Sequence, residues 1–149
     1  MAEEKEAPFQ DLNALVGEWD TEATHQMYPS TVVHGHSTFT WLEGERFLIL
    51  RARSDHPDFP DSISIIGDTQ GLCMHYFDSR GVARAYQMSL TDREWKLWRD
   101  RPDLSPLDFS QRFTGTLSTD GKTISGRFEI SHDGSTWEHD LEITYRRTS

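Results

Sequence analysis

The chain is short of cysteine, of long apolar runs and of positive charge, and each shortage removes a class of protein. Cys73 is the single cysteine among 149 residues, so no internal disulfide can form, which suits a reducing compartment. No apolar run approaches the roughly 20 residues that a membrane-spanning helix needs. The stretch Met1 to Gln10 is acidic and lacks the basic and apolar regions of a secretory signal. A soluble, cytoplasmic protein is therefore expected. Lysine and arginine together number 15 against 25 aspartates and glutamates, a formal net charge of -10. Phosphate backbones and anionic membranes are repelled overall, so neither nucleic acid nor membrane is expected as a partner. No phosphate-cradling glycine loop, linker, repeat or low-complexity tract is present. One domain over residues 1–149 is expected, with residues 1–8 flexible.

What the chain does have is alternation. Thr136 to Arg147 reads Trp137, His139, Leu141, Ile143 and Tyr145 on one side and Glu138, Asp140, Glu142, Thr144 and Arg146 on the other. Period-two patterning of this kind marks a strand with one buried and one wet face. Similar strands are expected near Gly17–Tyr28, Val32–Leu42, Arg46–Ser54, Ser62–Gly67, Leu72–Asp78, Val82–Leu90, Arg93–Asp100, Phe109–Ser118 and Thr123–His132. Turn formers join them, among them Glu43-Gly44, Ser79-Arg80-Gly81, Thr91-Asp92, Asp120-Gly121 and Asp133-Gly134. Longer proline-bearing loops surround His56–Asp61 and Arg101–Asp108, and Phe9–Leu15 suits one short helical turn. About ten consecutive antiparallel strands in so small a domain close most economically into an all-β up-and-down barrel, which removes the sheet edges.

Turn positions predict register. Two-residue loops at Asp120-Gly121 and Asp133-Gly134 set Leu117 opposite Ile124, Gly115 opposite Gly126, Phe113 opposite Phe128 and Gln111 opposite Ile130. They also set Ile130 opposite Trp137, Phe128 opposite His139, Gly126 opposite Leu141 and Ile124 opposite Ile143. His139 is then the one imidazole on an aromatic inner wall. A Ser79-Arg80 loop sets Phe77 opposite Val82, His75 opposite Arg84 and Cys73 opposite Tyr86, and a Thr91-Asp92 loop sets Met88 opposite Trp95 and Tyr86 opposite Leu97. The expected inner face carries Val82, Tyr86, Met88, Trp95 and Leu97 together with His75, Arg84 and Arg99. Buried arginines need an anionic partner or strong hydrogen bonds, and a ligand carboxylate would supply an anion; the alternative sets both arginines in water at the barrel mouth.

Other polar residues carry blander expectations. His34 and His36 share a side of their strand, but Val33, Phe39 and Trp41 claim the other as apolar, so the histidines are expected in solvent and no metal site is expected. Cys73 and His75 share a face as a thiol and base would, yet nothing in the sequence orients them. Ser79 is a tight-turn residue without the strand-to-helix setting of a nucleophile elbow. On the first strand, Trp19, Thr21, Ala23, His25 and Met27 form the better interior face, which brings His25 towards the cavity of His139.

Gly17-Glu18-Trp19 at the first strand and Tyr145-Arg146-Arg147 at the last resemble the calycin group of lipocalins, fatty-acid-binding proteins and their bacterial relatives. That resemblance covers most of the chain and implies a barrel in which Gly17 and Trp19 are structural and a late arginine, Arg146 or Arg147, closes over Trp19. The stretch Met74 to Gly81 also looks like bacterial calycin-like proteins. With Tyr28-Pro29, the same opening and closing motifs are similar to nitrobindins, ten-stranded haem proteins with an inward histidine near the C-terminus. The likeness implies His139 as an iron ligand, although Thr21-Glu22-Ala23-Thr24 departs from the glycine-rich first strand of that family. Fatty-acid-binding proteins hold a carboxylate with arginines and a tyrosine; Arg84, Arg99 and Tyr86 supply those residue types without matching the motif.

Three functions are therefore carried forward. The first is binding of a small, largely apolar molecule, with a carboxylate or carbonyl group, by a monomer or homodimer. Phe113, Phe128, Trp137, Met88 and Trp95 would bury it, while His139, Tyr86, Arg84, Gln111, His25 and His75 would orient its polar group. The second is haem binding through His139. The third is a barrel-interior lyase or addition enzyme with His139 or His75 as general acid–base and Tyr86 as electrophilic helper. Composition alone implies no cofactor.

Overall fold

The computed structural model describes residues 12–149. Its strands are β1 (Gly17–His25), β2 (Tyr28–Trp41), β3 (Phe47–Ser54), β4 (Ser62–Asp68), β5 (Leu72–Asp78), β6 (Ala83–Thr91), β7 (Glu94–Arg99), β8 (Ser110–Leu117), β9 (Thr123–Ser131) and β10 (Glu138–Arg147). Each pairs antiparallel with its sequence neighbour, and β1 pairs with β10, so the barrel is closed. The expected all-β meander is present, consistent with a calycin-like barrel. The expected helical turn at Phe9–Leu15 falls partly outside the described residues and is not shown. Among the described residues no helix is long and apolar enough to cross a membrane.

Alternation decides the two faces. On β1, Trp19, Thr21 and Ala23 are buried while Glu18, Asp20 and Glu22 point out. The expected pairing across β8 and β9 holds: Leu117 faces Ile124, Gly115 faces Gly126, Phe113 faces Phe128 and Gln111 faces Ile130. The far end of the Phe113 ring lies against the two glycines, where a Cβ on Gly126 would come within 2.5 Å of it. Phe113 meets Trp95 edge-to-face and Phe128 at a tilt, at centroid separations of 4.9 and 4.8 Å, making an aromatic rail along that wall.

Elsewhere the turns move the register. Between β5 and β6 the loop takes in Gly81 (φ 85°), so Asp78 faces Val82 and Phe77 faces Ala83. That shift of one residue inverts the strand. Cys73 and His75 lie on the outside, where His75 Nε2 meets Thr69 Oγ1 at 3.1 Å, and Met74 and Tyr76 take the inside. Between β6 and β7 the turn is Asp92-Arg93, both with positive φ as a type I′ turn requires. Leu90 then faces Trp95 and Met88 faces Leu97, a shift of two residues that keeps the expected faces.

The largest correction concerns β10. Residues 132–137 form a longer connection, in which Asp133 Oδ1 accepts the Ser135 and Thr136 amides, so the expected two-residue turn is absent. A β-bulge then interrupts the ladder between His139 and Leu141. Leu141 faces Phe128, but His139 faces Glu129, whose carboxylate is held on the outer face by Arg112 at 2.9 Å. Bulges re-aim side chains in this way. His139 is therefore outside the barrel, and so is Trp137, which lies under the Arg112 guanidinium at 4.1 Å.

The two ends differ. The floor is plugged by Leu12 and Leu15, both fully buried. Trp19 donates its indole N–H to Leu15 O at 2.9 Å, and Arg147 covers the ring at 4.1 Å while donating to Ala14 O at 2.7 Å. The closing arginine is thus Arg147; Arg146 reaches Glu22 on the surface at 3.3 Å. Gly17 (φ 134°) lies against this closure, where a Cβ would come within 2.5 Å of Arg147 Nη1. The opposite end is bordered by residues 55–61 and 100–109.

Candidate ligand-binding cavity

Strand direction puts the low-numbered ends of β4, β6 and β10 and the high-numbered ends of β3, β5 and β7 at one mouth. Beneath it is a cavity of about 260 Å³, just under the ~300–1,000 Å³ usual for small-molecule sites. Its rim includes His34, Arg53, Phe59, Pro60 and Asp140. Its walls are mainly apolar, from Leu50, Met74, Leu97, Phe113, Phe128 and Ile143.

Polar groups lie at two depths. Near the mouth, Arg84 lines the cavity beside Tyr76, its cross-strand neighbour. Among the described residues no carboxylate pairs with Arg84, whereas Arg99 is held by Asp103 at 2.7 Å and by the carbonyls of Ser105 and Pro106. Arg99 therefore anchors the loop beyond β7, and the Asp103 carboxylate, which burial would raise, is brought below its ordinary range by hydrogen bonds from Arg99 and the backbone. Tyr86 donates to Gln111 Oε1 at 3.0 Å, which leaves the Gln111 amide N–H groups free to donate. Burial raises the Tyr86 phenol above its ordinary value, so the hydroxyl stays neutral.

Deeper down, Tyr145 and Thr21 are cross-strand neighbours on β10 and β1. The Trp95 ring lies 6.0 Å from that of Tyr145. All three line the cavity. Trp95 Nε1 and, on another wall, Ser64 Oγ are buried without a hydrogen-bond partner among the described residues. Burial pushes the Tyr145 phenol up, so it too remains a neutral hydroxyl.

Of the residues expected to meet a ligand, Tyr86, Arg84, Gln111, Trp95, Phe113 and Phe128 come together on this cavity. Met88 is buried in the core without lining the cavity. His25 borders the mouth: its Nε2 contacts Asp140 Oδ1 at 3.0 Å, and its Nδ1 accepts the Met27 amide at 3.1 Å. With Nδ1 accepting, the neutral ring carries its proton on Nε2 and donates it to Asp140. His139, Trp137 and His75 face away from the cavity. Sequence reasoning missed Tyr76 and Asp140, which the register slip and the bulge turn inward, and Ser64, on a strand whose faces it left unassigned. Thr21 and Tyr145 were visible on inward faces but read as wall.

The nitrobindin resemblance calls for an inward histidine. His139 faces out, His36 and His75 lie on the outer face, and the other histidines among the described residues border the mouth or its loops. The residues do not fit a haem held through His139. Nor does either proposed general base, His139 or His75, share the interior with the Tyr86 hydroxyl. Among the described residues there is no cluster of three His, Cys, Asp or Glu side chains suited to a metal ion.

No protein-family model matches the chain, and no curated protein matches it. Among solved structures, the crystal structure of Rv2717c from M. tuberculosis is similar with a TM-score of 0.67 and 14% identity, over 96% of this chain and 98% of that one. At that identity the likeness shows the fold alone: this chain and Rv2717c share a closed antiparallel barrel.

Proposed function

We propose that the barrel binds a small, largely apolar molecule bearing an anionic group, with that group at Arg84 and its apolar body against the aromatic rail. The observation that carries this reading is Arg84 itself, a cavity-lining guanidinium without a carboxylate partner among the described residues. Arg99, by contrast, has its donors taken by Asp103 and by the loop of Ser105 and Pro106. A carboxylate at Arg84 would form charge-assisted hydrogen bonds, the stronger class in a partly desolvated site. The Gln111 amide N–H groups, left free by Tyr86, are the further donors on this wall, while the Tyr76 hydroxyl gives its proton to Asp78.

Decanoate, titrated calorimetrically into the purified protein, is the direct test. Saturable one-site binding is expected. Arg84→Met keeps the length of the side chain and removes its charge, and is expected to weaken that binding tenfold or more, from the roughly 1.5–3 kcal/mol of a hydrogen bond to a charged group. Absence of saturable binding, or equal affinity in the variant, overturns the proposal.

A further inference from the structure

The deep end of the cavity has a demand of its own. Thr21 and Tyr145 are buried side by side, and Trp95 packs against Tyr145. Trp95 is 1% exposed and its indole N–H, which can only donate, has no partner among the described residues. Thr21 and Tyr145, both largely buried, bring two hydroxyls to the lining of the same cavity. Buried polar groups are normally paired, and each one left unpaired costs roughly 1–3 kcal/mol. A buried donor without a partner on β7, with two cavity-lining hydroxyl side chains near it on β1 and β10, calls for an acceptor. A purely hydrocarbon tail would leave the indole N–H unpaired.

From these groups we infer that the ligand carries a second oxygen acceptor, such as a ketone, at the buried end of its apolar body, and that Trp95, Tyr145 and Thr21 select it. The inference rests on the proposed binding function and names the ligand class: an oxo-substituted organic acid. Distance along the wall sets its length. Arg84 and Leu90, the cross-strand neighbour of Trp95, are six residues apart on β6, about 20 Å at ~3.3 Å per residue. Arginine and tryptophan side chains reach inward from both ends, and the remaining gap suits a body of about ten carbons. The class excludes amines, which would offer donors to donors and place a cation beside Arg84.

The probes are decanoate and 9-oxodecanoate, equal in length and differing by one ketone. The ketone makes the second acid better hydrated, so a hydrophobic cavity without this subsite prefers decanoate. The wild-type protein is expected to prefer 9-oxodecanoate by about fivefold, the range of one net hydrogen bond. Tyr145→Phe and Thr21→Val remove hydroxyls while keeping shape; each should reduce the preference and leave decanoate affinity unchanged or higher. A reading independent of any variant is the infrared band of 9-oxodecanoate labelled with carbon-13 at the ketone, expected at lower frequency when bound than in hexane. If decanoate binds and the ketone brings neither preference nor band shift, the second acceptor is wrong and the binding function stands. A preference that survives both substitutions overturns the assignment of these residues. If neither acid binds saturably, the binding function fails and the subsite with it.

Discussion

The two ends of the barrel use the same side-chain types to opposite effect. At the floor, Arg147 is consumed by carbonyls of residues 14, 16 and 121 and by the face of Trp19, whose own N–H is taken by Leu15. In the upper cavity, Arg84 has no acidic partner among the described residues, and deeper in the same cavity the N–H of Trp95 has no acceptor. An arginine with its donors matched holds a fold together; one with its donors facing a cavity waits for something from outside. Residue type does not separate the two roles. Hydrogen-bond accounting does.

The largest expected effect lies at the floor. Trp19→Ala removes a fully buried ring, its hydrogen bond and the platform under Arg147, and should lower the unfolding free energy by about 3–5 kcal/mol, measured by urea denaturation. Arg84→Met, whose head group bridges nothing acidic in the fold, should move the same midpoint far less. Comparable losses at the two sites would break the contrast between a structural end and a binding cavity.

A smaller effect sharpens it, because the mouth has one firmly held corner. Asp78 accepts hydrogen bonds from the Tyr76 hydroxyl at 2.7 Å, from Arg80 Nη2 at 2.6 Å and from the Arg80 amide at 2.9 Å. Burial would raise its carboxyl, but those bonds prevail and hold it at about 2, against an ordinary 3.8. With the folded value below the unfolded one, the stabilisation is fully present above about pH 4 and is lost as pH falls through about 2. The gap corresponds to about 2 kcal/mol at neutral pH. Asp78→Asn should lose that amount and flatten the dependence of stability between pH 4 and 2, followed by denaturation across that range. An unchanged acid transition would remove Asp78 as the anchor of Tyr76 at the cavity wall.

How far the sequence could be read follows from the turns. Asp120-Gly121 keeps β8 and β9 in the expected register, so Phe113, Phe128 and Gln111 are legible from alternation alone. Between β6 and β7 the turn is misplaced by an even step, and Tyr86, Trp95 and Arg84 keep their faces by parity. Gly81 adds a single residue before β6, and odd steps invert faces: Tyr76 was hidden and His75 was promoted. The bulge beside Asp140 is the other odd step. Nothing in Glu138-His139-Asp140-Leu141 announces it, because the local pattern alternates without fault; its stabilising contact is His25, more than a hundred residues earlier in the chain. The deep hydroxyls were overlooked for another reason. A threonine and a tyrosine on a buried face look like ordinary wall until the cavity they line is seen.

The smallest expected effect is at His139, where alternation made its strongest claim. In the bulged strand its ring lies on the outer face opposite Glu129, in the neighbourhood of Arg112 and Trp137. It touches neither the cavity nor the groups that satisfy the floor. His139→Ala should therefore change decanoate affinity by less than about twofold, and stability by no more than the ~0.5 kcal/mol usual for a surface substitution. The result discriminates between two strands of identical sequence. Unbulged, β10 would present His139 to the interior, and its loss would alter the cavity and any ligand in it. Bulged, the strand spends its inward positions on Asp140, Leu141, Ile143 and Tyr145, and the imidazole is free to go. A tenfold change in ligand affinity on His139→Ala would put the histidine back inside the barrel and take the bulge, the His25–Asp140 contact and the outward Trp137 with it.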